Sequence, residues 1–217
     1  VDKIKPDVVI VANGGKFATL DVPGITRNNV FSSHDLLDMM NGISINKGFL
    51  MNAIMPFAKK VVNADTVRTM LSTNIPIKKN VASLGGQFAG TSLALFMAEK
   101  GKKVTVIEEA DTWGEGIEAN VMTLVKEEIQ KGNVKILTST KVKEINDKGV
   151  VVIDAQGQES LVDVDTVLVA KDLLPSDSKL AEELRGKVKE VYKIGDASAF
   201  GRIKQAIHQG FTTAYNL

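Results

Sequence analysis

The chain reaches a continuous apolar run, Val8-Val9-Ile10-Val11-Ala12, after only seven residues, and Asn13-Gly14-Gly15 closes it. A segment apolar on both faces reads as a strand buried in a parallel sheet. Residues 17–33 break the pattern with Pro23-Gly24 and Asn28-Asn29, which predicts loop with one short strand around Val30. Residues 35–79 predict methionine-rich helix punctuated by Pro56 and Pro76. Within that stretch Phe49, Leu50, Ile54, Met55 and Phe57 stand beside Lys59-Lys60. The pattern fits a membrane-surface helix or helices packed on a neighbouring domain, and packing is the expectation because methionine adapts to irregular contacts.

The clearest grammar follows. Asn80–Leu84 predicts a strand, 88–100 a helix with Ala89, Leu93, Phe96 and Met97 on one face, and 104–107 a second buried strand. A helix over 117–131, with Val121, Leu124, Val125 and Ile129 at helical spacing, leads through Gly132-Asn133 to a strand at Val134–Leu137. Three short strands, 141–145, 150–154 and 160–164, are joined by Asp147-Lys148-Gly149 and Gln156-Gly157, which are hairpin signals. A parallel βαβαβ half therefore precedes an antiparallel meander. Residues 166–170 repeat the buried-strand pattern of 8–12, 191–194 give another strand, and Ile203–Tyr215 a closing helix. The economical topology inserts one α/β domain into another, the chain leaving near residue 34 and returning near 165.

Composition narrows the class. The 217 residues are 44% hydrophobic and 24% charged, as expected of a globular chain, and 27 basic against 26 acidic residues leave a formal charge of +1. No overall field attracts nucleic acid or an anionic membrane, and no apolar run reaches the roughly 18 residues that cross a bilayer. With no cysteine the chain has no disulfide, thiolate nucleophile or Cys-ligated cluster of its own, and its two histidines are far apart, against a zinc site. A reducing, cytoplasmic setting is the expectation.

Gly85-Gly86-Gln87-Phe88-Ala89-Gly90 lies between the predicted strand and helix, and Glu108 closes the next strand. That is the context of a dinucleotide fingerprint: Gly85 for the tight turn, Gly90 for close helix packing, the helix N-terminus for a pyrophosphate and Glu108 for ribose hydroxyls. A carboxylate there repels a 2′-phosphate, which favours NAD(H) over NADP(H). Gln87 departs from the pattern, because a glycine at that position lets the pyrophosphate approach. Its side chain either swings away or hydrogen-bonds a phosphate, while a strand–turn–helix that needs two glycines and binds nothing has the same spelling. Gly195-Asp196 ends another strand, where the carboxylate either holds a polyol or caps a turn. His34 and His208 read as surface or capping residues, and Trp113 either covers a nucleotide or packs. No Ser/His/Asp arrangement or paired-carboxylate site is assigned, as suits chemistry carried by cofactors.

These segments, in order with Pro6 to Gly15, Gly101-Lys102-Lys103-Val104 through Glu108, Tyr192 to Asp196 and Arg202-Ile203-Lys204-Gln205-Ala206-Ile207-His208-Gln209-Gly210-Phe211, resemble the C-terminal part of the NADH:flavin oxidoreductases related to 2,4-dienoyl-CoA reductase, 2-enoate reductase and trimethylamine dehydrogenase. The resemblance covers nearly all of the chain except 36–79. It implies a Rossmann-like NAD(P)-binding domain (80–164) inserted into a partial FAD-binding α/β domain (1–34 and 165–217) of the pyridine nucleotide-disulfide oxidoreductase type, with 35–79 as a helical connector. It further implies that Gly85, Gly86, Gln87, Phe88, Gly90 and Glu108 face NADH, and that Asn13, Gly14, Gly195 and Asp196 face FAD. Electrons would pass from NADH to FAD and on to an FMN barrel through a 4Fe–4S cluster, both expected in an N-terminal part missing from this chain. Asp172 replaces the glycine usual in that family near the flavin. Together with Gln87 it keeps open an alternative, a degenerate module that binds ADP in a structural or regulatory role. A homo-oligomer is a further expectation.

Overall fold

The computed structural model describes residues 3–40, 76–176 and 179–217. Its strands are β1 (Val8–Val11), β2 (Gly15–Phe17), β3 (Val30–Ser32), β4 (Asn80–Leu84), β5 (Lys103–Ile107) and β6 (Val134–Leu137), then β7 (Lys141–Asn146), β8 (Gly149–Ile153), β9 (Glu159–Asp163), β10 (Thr166–Val169), β11 (Leu173–Pro175) and β12 (Glu190–Lys193). The helices are α1 (Ser33–Met40), α2 (Phe88–Glu99), α3 (Ala119–Gln130), α4 (Leu180–Leu184) and α5 (Ile203–Tyr215). They form two compact units, Thr19–Lys171 and Val1–Ala18 with Asp172–Leu217. Of the predicted helical connector 35–79, residues 41–75, with the Phe49–Lys60 cluster, fall outside the described residues.

In the larger unit five parallel strands lie in the order β3-β10-β4-β5-β6. Alternate residues serve opposite faces, as the two-residue strand period requires. Phe31, Val81, Val104, Val106 and Leu168 pack with Ala94 and Met97 of α2. Val30, Ala82, Leu84, Ile107, Val167 and Val169 pack with Ile145, Val150 and Val152 of the β7-β8-β9 meander. Cover on both sides explains why these strands are apolar without alternation.

The exit and return of the chain differ from the expected residues 34 and 165. β3 and β10 hydrogen-bond within the same sheet as β4, so 30–32 and 166–169 belong to the larger unit, and the division falls at 18/19 and 171/172. The helix faces differ too. α2 buries Gly90, Thr91, Ala94 and Met97, while Phe96 is exposed. Small residues at 90 and 94 let the helix approach the sheet closely, which turns the bulkier side chains outward. On α3 only Val125 is buried and Leu124 is 61% exposed.

Two local devices fix this unit. Ser32 N–H and Oγ–H donate to Asp35 Oδ2 (2.7 and 2.8 Å) and Asp35 N–H donates to Ser32 Oγ (3.1 Å), a reciprocal cap at the start of α1. Lys102 is buried and its Nζ donates to Ile77 O (2.8 Å); burial pulls its pKa below the usual lysine value.

In the smaller unit β1 pairs in parallel with β12, from Val8↔Glu190 to Val11↔Lys193, and β2 pairs antiparallel with β11. Its core is slight: Val11, Ala181, Leu184 and Val188, flanked by Val9 and Val191. β1 was expected to be buried on both faces, yet Ile10 is 41% exposed, because two strands cannot cover each other's faces. On α5 Ile203, Ile207, Phe211 and Tyr215 form an apolar stripe at four-residue spacing, exposed by 79%, 67%, 68% and 79%.

Candidate functional site

The fingerprint residues of the larger unit gather at the carboxyl ends of β4 and β5. Gly85 has φ +111°, and a Cβ there would stand 2.7 Å from Ala170 O. Its N–H donates to Ile107 O (2.9 Å), so the turn is tied to the end of β5. A Cβ at Gly90 would stand 1.8 Å from Gly85 O. Helix and turn meet backbone to backbone, which only glycine allows. A Cβ at Gly86 would press on Glu108 Cβ at 2.9 Å and Val106 Cγ1 at 3.0 Å.

Glu108 is nearly buried and its carboxylate is held at both oxygens. Gly86 N–H donates to Oε2 (2.6 Å) and Ala110 N–H to Oε1 (2.9 Å). Each oxygen keeps a second lone pair, the acceptor a ribose hydroxyl needs. Thr91, which the sequence reading passed over, locks the same turn: its Oγ–H donates to Gly86 O (2.7 Å). A serine or threonine just inside a helix, within reach of the preceding glycine turn, was the available signal.

Beside this turn lies a cavity of about 230 Å³ lined by Leu20, Val22, Ile107, Val142 and Glu108, among others. Lys141 and Lys171 stand on its wall, and Lys141 Nζ pairs with Glu109 at 3.1 Å. A largely apolar chamber with two carboxylates, Glu108 and Glu109, and flanking cations suits a heteroaromatic base with its sugar.

Gln87 neither swings away nor points at an open anion site. Its Oε1 accepts from Glu115 N–H (2.7 Å) and its Nε2 donates to Thr112 O (3.5 Å), so it holds the loop that carries Trp113. Phe88, at the start of α2, is exposed, and its N–H donates to Glu115 O (3.0 Å).

In the smaller unit Asn13-Gly14 follows β1 and Gly195-Asp196 follows β12. These paired parallel strands therefore bring both turns to one sheet end. Ile194 N–H donates to Val11 O (3.1 Å), Gly14 has φ +80° and Gly195 φ +59°. Asn13 Oδ1 accepts from Ser176 Oγ–H (3.0 Å) and Asp196 Oδ1 from Gly201 N–H (3.0 Å). Two contributors, Gly15 and Gln209, lie in the quoted motifs but were not singled out as site residues. A Cβ on Gly15 would meet Leu174 O at 2.8 Å and Asp196 Cβ at 3.5 Å, and Gln209 Oε1 accepts from Gly195 N–H (2.6 Å). His208 is exposed and His34 Nδ1 lies 3.1 Å from Asp38 Oδ2. Among the described residues no His, Asp and Glu cluster is arranged to hold a metal, and no helix is long and apolar enough to cross a membrane.

Comparison with known proteins agrees with this fold. The family profile described as pyridine nucleotide-disulphide oxidoreductase matches residues 1–210. An NADH oxidase of Thermoanaerobacter brockii is 25% identical over 216 residues, 99% of this chain and 28% of its own length. A cinnamate reductase of Clostridium sporogenes is 28% identical over 164 residues, 74% of this chain and 24% of its own. Among solved structures, a 2-naphthoyl-CoA reductase in complex with 2-naphthoyl-CoA superposes with TM-score 0.68 at 25% identity, over 98% of this chain and 27% of that one. Thioredoxin reductase of T. acidophilum, at 22% identity and TM-score 0.64, shares the fold over 95% of this chain and 63% of its own. The chain spans a quarter to a third of the length of the curated relatives it matches.

Proposed function

Because the chain belongs to the pyridine nucleotide-disulphide oxidoreductase family, whose fold binds FAD and NAD(P)H, we propose that it is the nucleotide-binding module of a longer NADH-dependent flavin oxidoreductase of the ene-reductase kind. The observation that carries this reading is the Gly85-Gly86 turn locked onto Glu108 at the carboxyl ends of parallel strands, beside a cavity of adenosine character. In it Gly85, Gly86, Phe88, Gly90 and Glu108 surround NADH, Gln87 holds the neighbouring loop, and Asn13, Gly14, Gly195 and Asp196 face FAD. When bound, the two cofactors supply hydride exchange between their redox rings. The protein's part is to bind and orient. Glu108 accepts the ribose hydroxyls and its charge disfavours a 2′-phosphate, while the positive end of α2 receives the diphosphate.

The relatives named NADH oxidase, cinnamate reductase and 2-naphthoyl-CoA reductase support the reductive direction, and their greater length has room for an FMN barrel and a 4Fe–4S cluster. Calorimetric titration tests the reading. NADH binds at micromolar affinity, NADPH more weakly, and Glu108→Ala abolishes the signal; an absence of NADH binding refutes it. A second reading, an ADP-binding module with a structural or regulatory role, is favoured by the Gln87-held loop. It predicts a heat with ADP and none with NADH.

A further inference from the structure

The loop following β5 closes over the start of α2 through four hydrogen bonds. Gly114 N–H donates to Gly86 O (2.7 Å), Glu115 N–H to Gln87 Oε1 (2.7 Å), Gln87 Nε2 to Thr112 O (3.5 Å) and Phe88 N–H to Glu115 O (3.0 Å). A diphosphate held at a helix N-terminus needs the first-turn amides and free space in front of them. Here one such amide is already donated, and the loop is fastened across that end. The cavity beside Glu108 is different: neither Gln87 nor any residue of 111–116 lines it.

We propose that Gln87 is a latch that sets which nucleotides this chain accepts. With the loop shut, the cavity takes a ligand of adenosine size. A dinucleotide binds only after the loop has lifted from α2, so its apparent affinity is reduced by the closed fraction. The inference rests on the nucleotide-binding reading given above. Gln87 thus has a positive role where the fingerprint has glycine: its amide bridges a carbonyl and an N–H of the loop. One well-made side-chain hydrogen bond shifts such an equilibrium about fivefold, so removing the latch tightens dinucleotide binding by about that factor.

Trp113 is the only tryptophan of the chain and sits in the latched loop, which makes its emission a direct reporter. The test titrates the full chain and Gln87→Ala with NAD⁺ and with adenosine, followed by calorimetry and Trp113 fluorescence. The latch predicts that NAD⁺ changes Trp113 emission in the parent and adenosine does not. It also predicts that Gln87→Ala binds NAD⁺ about fivefold tighter while adenosine affinity stays the same. Gln87→Gly repeats the measurement should the alanine variant misfold, since φ −78° at this position suits any residue. Unchanged or weaker NAD⁺ binding in the variants, or NAD⁺ binding with no change in Trp113 emission, overturns the latch and leaves the nucleotide site standing. Failure of NAD⁺ to bind parent and variants alike overturns both.

Discussion

Replacing Gly90 with alanine puts the close approach of helix and turn to the test. The added Cβ would lie 1.8 Å from Gly85 O and 2.6 Å from Gly85 C. Unstrained carbon contacts start near about 3.5 Å, so helix and turn must separate by well over an ångström. The obstacle is backbone and cannot rotate aside. Overpacking of this kind costs about 1–3 kcal/mol. The shift also pulls on the Ser83 Oγ to Gly90 O bond (3.4 Å) and the Thr91 Oγ to Gly86 O bond (2.7 Å), worth about 1 kcal/mol each. The sum, about 3–5 kcal/mol, lowers the melting temperature by roughly 10 °C for a chain of this size. Gly101→Ala is the control: φ is +78° with nothing within 4 Å of the new Cβ, so only the left-handed backbone cost of about 1–2 kcal/mol applies. Thermal unfolding followed by circular dichroism and Trp113 emission compares the three proteins. A Gly90→Ala protein that melts within about 2 °C of the parent, against the scale cited, or above Gly101→Ala, refutes the packing argument.

Other outcomes follow from the same structure. Thr91→Val removes a buried hydroxyl bond to Gly86 O and lowers stability by about 1–2 kcal/mol in urea titration, with weaker NADH binding because the turn loosens. Burial holds the Lys102 pKa below 10.5, so the unfolded chain binds that proton more tightly. Stability therefore rises with pH from the lowered value towards 10.5, and urea midpoints across that window show a rise that Lys102→Met flattens. On α5, Ile207→Lys with Phe211→Lys reduces self-association of the isolated chain in sedimentation without lowering its melting temperature, because neither side chain is part of a core.

The central sheet was legible because burial on both faces leaves a continuous apolar run, although β1 carries the same run with Ile10 41% exposed. Asn80–Leu84 and the turn residues of the meander carried the insertion, and Gly85, Gly90 and Glu108 marked their place by spacing alone. What escaped had weaker local signals. β2 and β11 are three-residue strands, too short for periodicity to register, and α4 spans five residues. Periodicity found Leu93, Met97, Val125 and Ile129, which pack inward, but also counted Phe96 and Leu124, because it ranks side chains by hydrophobicity, whereas close packing on the sheet favours Gly90 and Ala94 over Phe96. The exit point near residue 34 was misjudged because strand pairing between residues far apart in sequence, such as Val30 with Val167, leaves no trace in local pattern. Gln87 was recognised as a departure, but its partners lie on a loop some 25 residues away.

Amide chemical-shift mapping of the labelled chain with NADH tests the nucleotide assignment most directly. A dinucleotide seated on the fingerprint moves the resonances of Gly85, Gly86, Phe88 and Ala110 together, saturably, and leaves the outer meander strand Glu159–Asp163 in place. Shifts confined to other surfaces, or none at all, contradict it.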